Sequence, residues 1–172
     1  NETKVHERIV VSSSKLKITP SSDFRCPIKI PQISQSVIFT LSWDFTLLSL
    51  SGDDKIHVPN DRASTVDIGF CILGKSSDGS FPLLTKYRRI GPIGTNIVGS
   101  LSFQKVTDED DIDIETKDSP LQIPFQEIIL LFDNTYSWFK PKYIRYEISL
   151  DYEVEKEKVI SPIINSLHND SN

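Results

Sequence analysis

From Val37 to Leu47 every odd position is apolar (Val37, Phe39, Leu41, Trp43, Phe45 and Leu47), while the even ones include Thr40, Ser42, Asp44 and Thr46. A repeat of two sends alternate side chains to opposite faces of an extended chain, so this segment reads as a strand with one face buried and one wet. The same pattern returns between Lys142 and Val154, where Ile144, Tyr146, Ile148, Leu150, Tyr152 and Val154 oppose Arg145, Glu147, Ser149, Asp151 and Glu153. Two such strands require a sheet with one face covered by something else.

Shorter runs supply the rest. Alternation predicts strands at Phe24 to Ile30 and Val66 to Leu73, a further pair at Leu83 to Ile90 and Ile97 to Val106, and edge strands at Val5 to Val11 and Leu16 to Thr19. Ile128 to Phe132 is apolar at every position, as expected of a central strand covered on both faces. Turn residues separate the runs: Ser51 to Asp54, Pro59 to Asp61, Ser76 to Gly79, Gly91-Pro92 and Asp133-Asn134. Helical spacing is nearly absent. The expected fold is therefore all-β, a two-sheet antiparallel β-sandwich with long loop insertions. The expected layout is an extension over residues 1–27, the sandwich over 28–160 with an acidic insertion at 107–119, and a flexible tail over 161–172.

With 172 residues, 38% of them hydrophobic, the chain can bury a core of about one domain. Its formal net charge of −5 repels phosphate backbones, so no nucleic-acid partner is expected. No stretch reaches the roughly 18 apolar residues of a membrane-spanning helix, and Asn1-Glu2-Thr3-Lys4 lacks the apolar segment of a signal peptide. A soluble chain is expected, and the absence of methionine suggests a piece of a longer protein. Cys26 and Cys71 are read as reduced core residues, with a single structural disulfide as the alternative.

The residues of common catalytic and metal sites are missing. An EF-hand loop begun at Asp111 meets Thr116 where glycine belongs and Gln122 where the closing glutamate belongs. His6, His57 and His168 lie near the termini or in a polar turn region, and none stands in a Gly-x-Ser-x-Gly, phosphate-loop or His-Glu-x-x-His context. The acidic run Asp108 to Asp118 is expected to be a solvated loop. The expectation is a protein without catalytic residues, metal or cofactor.

What remains is surface. Lys86-Tyr87-Arg88-Arg89 and Trp138-Phe139-Lys140-Pro141-Lys142 each join cations to an aromatic residue, the combination that most often anchors protein interfaces. Tyr87, Arg88, Arg89, Trp138, Lys140 and Lys142 are the candidate partner-binding residues, for a protein partner with an acidic segment. The bland alternative is that one face of the Tyr87 to Arg89 strand packs in the fold. The same cations could instead meet anionic headgroups in a peripheral membrane contact, each worth on the order of 1 kcal/mol.

The string Phe132-Asp133-Asn134-Thr135-Tyr136-Ser137-Trp138, followed by Lys140 to Tyr146, resembles the carboxy-terminal signature of the GOLD (Golgi dynamics) domain. Upstream, Leu41-Ser42-Trp43-Asp44-Phe45 and Val66-Asp67-Ile68-Gly69-Phe70 resemble its tryptophan strand and its Asp-x-Gly-Phe strand. The resemblance spans about Ile28 to Val154 and is closest to the cytosolic type found in Sec14-like lipid-transfer proteins and the Golgi acyl-CoA-binding-domain protein. It implies a jelly-roll-like sandwich without catalytic residues, used as an adaptor in Golgi and vesicle traffic at the cytoplasmic membrane periphery, or as an accessory domain of a lipid-transfer protein. Trp43, Phe45, Asp67, Gly69, Phe70, Phe132, Asp133, Asn134 and Tyr136 are its structural signature here. Of these, Trp43, Phe45, Phe70, Phe132 and Tyr136 are expected to hold the fold, and Gly69 to admit a close neighbour such as Trp43.

Overall fold

The computed structural model describes residues 3–48, 66–105 and 120–156. Among these residues nine strands are formed: β1 (Thr3–Ile18), β2 (Asp23–Lys29), β3 (Ile38–Leu47), β4 (Ile68–Lys75), β5 (Arg88–Ile90), β6 (Asn96–Lys105), β7 (Leu121–Ile123), β8 (Glu127–Asp133) and β9 (Lys142–Lys156). They make two sheets, a five-stranded one in the order β1-β9-β3-β6-β7 and a four-stranded one in the order β2-β8-β4-β5. Every neighbouring pair is antiparallel except β6 and β7, which run parallel. The protein is an all-β sandwich.

The two long alternating runs become β3 and β9, which pair from Phe39 with Tyr152 to Leu47 with Ile144. That register puts Leu41 beside Leu150 and Phe45 beside Tyr146 on one face. From the second sheet, Cys26, Ile28, Ile68, Phe70, Ile72, Ile128, Leu130 and Phe132 close over them in one buried cluster. Its centre is aromatic: Phe45 lies 4.8 Å from Phe70 and 5.0 Å from Phe132, edge-on to the latter. Such pairs contribute about 0.5–1.5 kcal/mol beyond their buried area.

Several expectations are revised by the sheets. The edge strands expected at the amino end form β1 in one sheet, the strand expected at Phe24 to Ile30 forms β2 in the other, and Ile18 and Cys26, within the expected extension over 1–27, sit in the core. The two predicted pieces Val5 to Val11 and Leu16 to Thr19 are one strand, broken in register only between Ser13 and Leu16. The expected strand Leu83 to Ile90 is reduced to β5 and a lone bridge from Leu83 to Leu73. The cause is Thr85, whose Oγ1 accepts the Ile72 N–H at 3.0 Å and so takes a bond the ladder would need.

β8 is central, between β2 and β4, as its unbroken apolar run requires. On its outer face Ile129 joins Cys71 and Leu73 in a second small cluster, with Leu131 packed against it. Cys26 belongs to the main core and Cys71 to this outer cluster; both are buried free thiols, so the disulfide alternative is set aside. Burial raises both thiol pKa values. The acidic insertion at 107–119, the tail at 161–172 and the turns at Ser51 to Asp54 and Pro59 to Asp61 lie outside the described residues.

Candidate docking site at one end of the sandwich

At the end of β8 the chain crosses from the four-stranded sheet to the five-stranded one, through Asn134 to Pro141, before β9 begins. Asn134 fixes this crossing. Its side chain is fully buried, and its Nδ2 donates to the carbonyl oxygens of Ile18 at 3.3 Å, Thr19 at 3.2 Å and Lys140 at 3.0 Å. One amide thereby ties the end of β1 to the far side of the loop. The Asn134 N–H donates to Ser22 O at 2.9 Å, the Ser137 N–H to Asn134 O at 3.1 Å, and the Ser137 hydroxyl to Lys140 O at 3.0 Å. From the β1–β2 turn, the Ser21 N–H reaches Ser137 O at 2.7 Å, with Ser21 itself in the left-handed region at φ 57°. Asx-type bonding completes the turn, with Asp133 Oδ1 accepting the Thr135 N–H at 2.9 Å.

A loop held at both ends then presents what it cannot bury. Trp138 is 78% exposed and Phe139 90% exposed, the two most exposed large hydrophobic residues among those described. Lys140 beside them is exposed too.

Beneath the loop lies a polar cluster centred on Asp67, just ahead of β4. Tyr136 donates its hydroxyl to both the main-chain oxygen and Oδ1 of Asp67, each at 2.7 Å. Arg89 Nη2 donates to Asp67 Oδ1 at 3.1 Å, and its guanidinium lies 3.6 Å from the centre of the Tyr136 ring. Lys142 reaches from β9 to donate to Asp67 O at 2.8 Å. Next to this group the Tyr87 hydroxyl donates to Asp133 Oδ2 at 2.7 Å.

Ionisation follows these contacts. Burial, then the bond to Asp133, pushes the Tyr87 phenol up to about 12. Burial, followed by the bond to Asp67, raises Tyr136 as well. For Asp133 burial is the largest single influence and acts upward, but the bonds from Thr135 and Tyr87 and the charge of Arg89 together outweigh it and hold the carboxyl below its ordinary value. Burial lowers the Lys142 ammonium against the pull of Asp67.

The six candidate binding residues therefore divide. Lys142 is only 5% exposed and so withdrawn from any partner's reach, while Tyr87 and Arg89 are bonded to Asp133 and Asp67 and still stand partly in solvent. Arg88, Trp138 and Lys140 are exposed without such bonds to the fold, and among the described residues none forms an ion pair with Arg88. Phe139, not singled out as a binding residue on its own, is the most exposed of all. Its signal was its place between Trp138 and Lys140 in a short segment with no alternation to bury it.

Of the signature residues, Phe45, Phe70 and Phe132 are core, and Asp67, Asp133, Asn134 and Tyr136 hold the crossing loop. The expected contact of Gly69 with Trp43 is not formed. A Cβ at Gly69 would overlap the Tyr87 phenol, whereas Trp43 lies over Gly99 on the neighbouring β6. Among the described residues no group of three or more histidine, cysteine or acidic side chains could hold a metal ion. His6 Nε2 lies 2.9 Å from Asp151 Oδ1, and His57 and His168 lie outside the described residues. No helix of the described residues is long and apolar enough to cross a membrane.

No protein-family model matches the sequence, and no curated protein matches it either. Among solved structures, a chain described as "Family 16 Carbohydrate Binding Module-2" is similar over 82% of this chain and 74% of its own, at 7% sequence identity and a TM-score of 0.31. A likeness of that size carries no assignment of ligand.

Proposed function

We propose that the chain is a non-catalytic protein-interaction module, an adaptor in Golgi and membrane traffic, that docks its partner on the Trp138-Phe139-Lys140 loop. The observation that carries this reading is the exposure of Trp138 and Phe139, at 78% and 90%, on a loop tied down by the buried Asn134 amide. Large aromatic residues supply most of the binding energy of interfaces, and a loop ordered before contact avoids the entropy of being ordered by it. Lys140 favours an acidic partner segment. The resemblance of Phe132 to Tyr146 to the GOLD signature gives the reading its cellular setting, at the cytoplasmic face of Golgi or vesicle membranes.

The experiment is capture from cell lysate on the wild-type chain and on Trp138→Ala/Phe139→Ala, read by mass spectrometry. Golgi or vesicle-coat proteins held by the wild type and lost from the double variant are the expected result; equal recovery on both removes the loop from the account. One observation favours a second reading: an exposed tryptophan and phenylalanine beside a lysine also suit the membrane interface, where aromatic rings settle at headgroup level. In that case the chain is a peripheral membrane module or an accessory domain of a lipid-transfer protein. Flotation with anionic liposomes at physiological salt separates the two, since the adaptor reading expects no flotation.

A further inference from the structure

Sheets that end in an open strand carry a row of unpaired N–H and C=O groups, and proteins blunt such edges with proline, bulges or shortness. Three of the four edges here are blunted: β5 and β7 have 3 residues each, and β2 carries Pro27. β1 is not. It is 16 residues long, pairs on one side with β9, has no strand on its other side among the described residues, and runs without proline, glycine or register shift from Thr3 to Ser13. Its lysines, Lys4, Lys15 and Lys17, lie toward its ends, and near its middle Arg8 is drawn to Asp151 on β9 at 2.6 Å.

Ile9, 36% exposed, and Val10, 49% exposed, stand at the middle of this edge on opposite faces, with Val11 beside them. Val10 is out of place on its own sheet. The row that continues from it across the sheet is Ser149, Ser42 and Ser100. Nothing in that wet row calls for a valine at its end except a neighbour beyond it.

We propose that β1 is a self-pairing edge, joined antiparallel to β1 of a second copy of this chain about a two-fold axis at Val10. The sequence of β1 is complementary to itself about that point. Val10 meets Val10 of the second copy, Ile9 meets Val11, Arg8 meets Ser12 and Glu7 meets Ser13, so an apolar centre is flanked by pairs without like charge. An axis at Arg8 or Glu7 sets like charges opposite each other; one at Ile9 sets Arg8 against Val10 and Glu7 against Val11; one at Val11 sets Ile9 and Val10 against serines and runs into the register shift after Ser13. The contact is closed, the same strand serving both copies, and it joins the two five-stranded sheets into one. It is separate from the docking loop and stands whether or not that loop binds a partner.

Sedimentation equilibrium over a concentration series tests it. The wild-type chain should approach twice its 19.5 kDa mass as concentration rises, while Val10→Lys, with an unchanged thermal melt, should stay at 19.5 kDa. A wild type that is monomeric throughout, or a dimer that survives Val10→Lys, overturns the proposal. Val10→Cys tests the register without a charge: facing residues of an antiparallel pair lie within disulfide reach, so mild oxidation should give a covalent dimer, and Val98→Cys on β6 should not. Absence of that cross-link in a dimeric Val10→Cys protein overturns the axis at Val10.

Discussion

Gly69 and Tyr87 occupy one another's space: the missing Cβ admits the phenol, which then reaches across to Asp133. The sequence marked both residues but not their pairing, because a glycine within a strand announces a close neighbour without saying which ring arrives. Trp43 and Gly99 are the same arrangement on the other sheet. The basic strand was equally ambiguous, since arginine and tyrosine serve interfaces and internal struts alike; only the position of Asp67 and Asp133 shows that Arg89 and Tyr87 are bonded into the fold. A pH dependence follows from the Tyr87 hydroxyl. Its folded pKa, about 12, lies above the ordinary 10.0, so the stability it contributes is complete below pH about 10 and lost as pH rises through the folded value. In urea unfolding, the advantage of wild type over Tyr87→Phe should be constant up to pH about 9 and shrink above pH about 10. An advantage that grows with alkalinity would contradict this.

Among the elements, the strands with a clean period of two, β3 and β9, were legible nearly to the residue, since a strand with one wet face must alternate. β1 was half legible. Its exposed Ile9 and Val10 interrupt the contrast between faces, and an edge strand beyond the cover of the second sheet need not alternate. β5 was overestimated because periodicity cannot register a side chain such as Thr85 displacing a ladder bond. The β8–β9 loop behaves as an element in its own right, with the buried Asn134 amide joining it to the end of β1 and to Lys140, alongside the Ser137 bond to Lys140 and the backbone bonds to Ser21 and Ser22. Asn134→Ala leaves three carbonyl groups without that donor and should cost about 1–3 kcal/mol in urea unfolding. The same variant should weaken capture of the partner while Trp138 and Phe139 are still present. Unchanged stability would show that the loop is held by other means.

For the whole molecule, the sandwich was readable because many short alternating strands with a single doubly apolar one have few other ways to bury themselves. The meeting of Asp67, Arg89, Tyr136 and Lys142 at one end was not, as it depends on β4, β5, the crossing loop and β9 converging from distant parts of the chain. That convergence ties the end together beneath an aromatic tip left in solvent, and the adaptor reading rests on the tip touching protein. Photocross-linking tests this most directly, with benzoylphenylalanine placed in cells at Phe139 and, as a control, at Val98, which is 68% exposed on β6. The account predicts protein adducts from position 139, drawn from Golgi or vesicle proteins and absent from position 98. Adducts to lipid alone, or the same adducts from both positions, would contradict it.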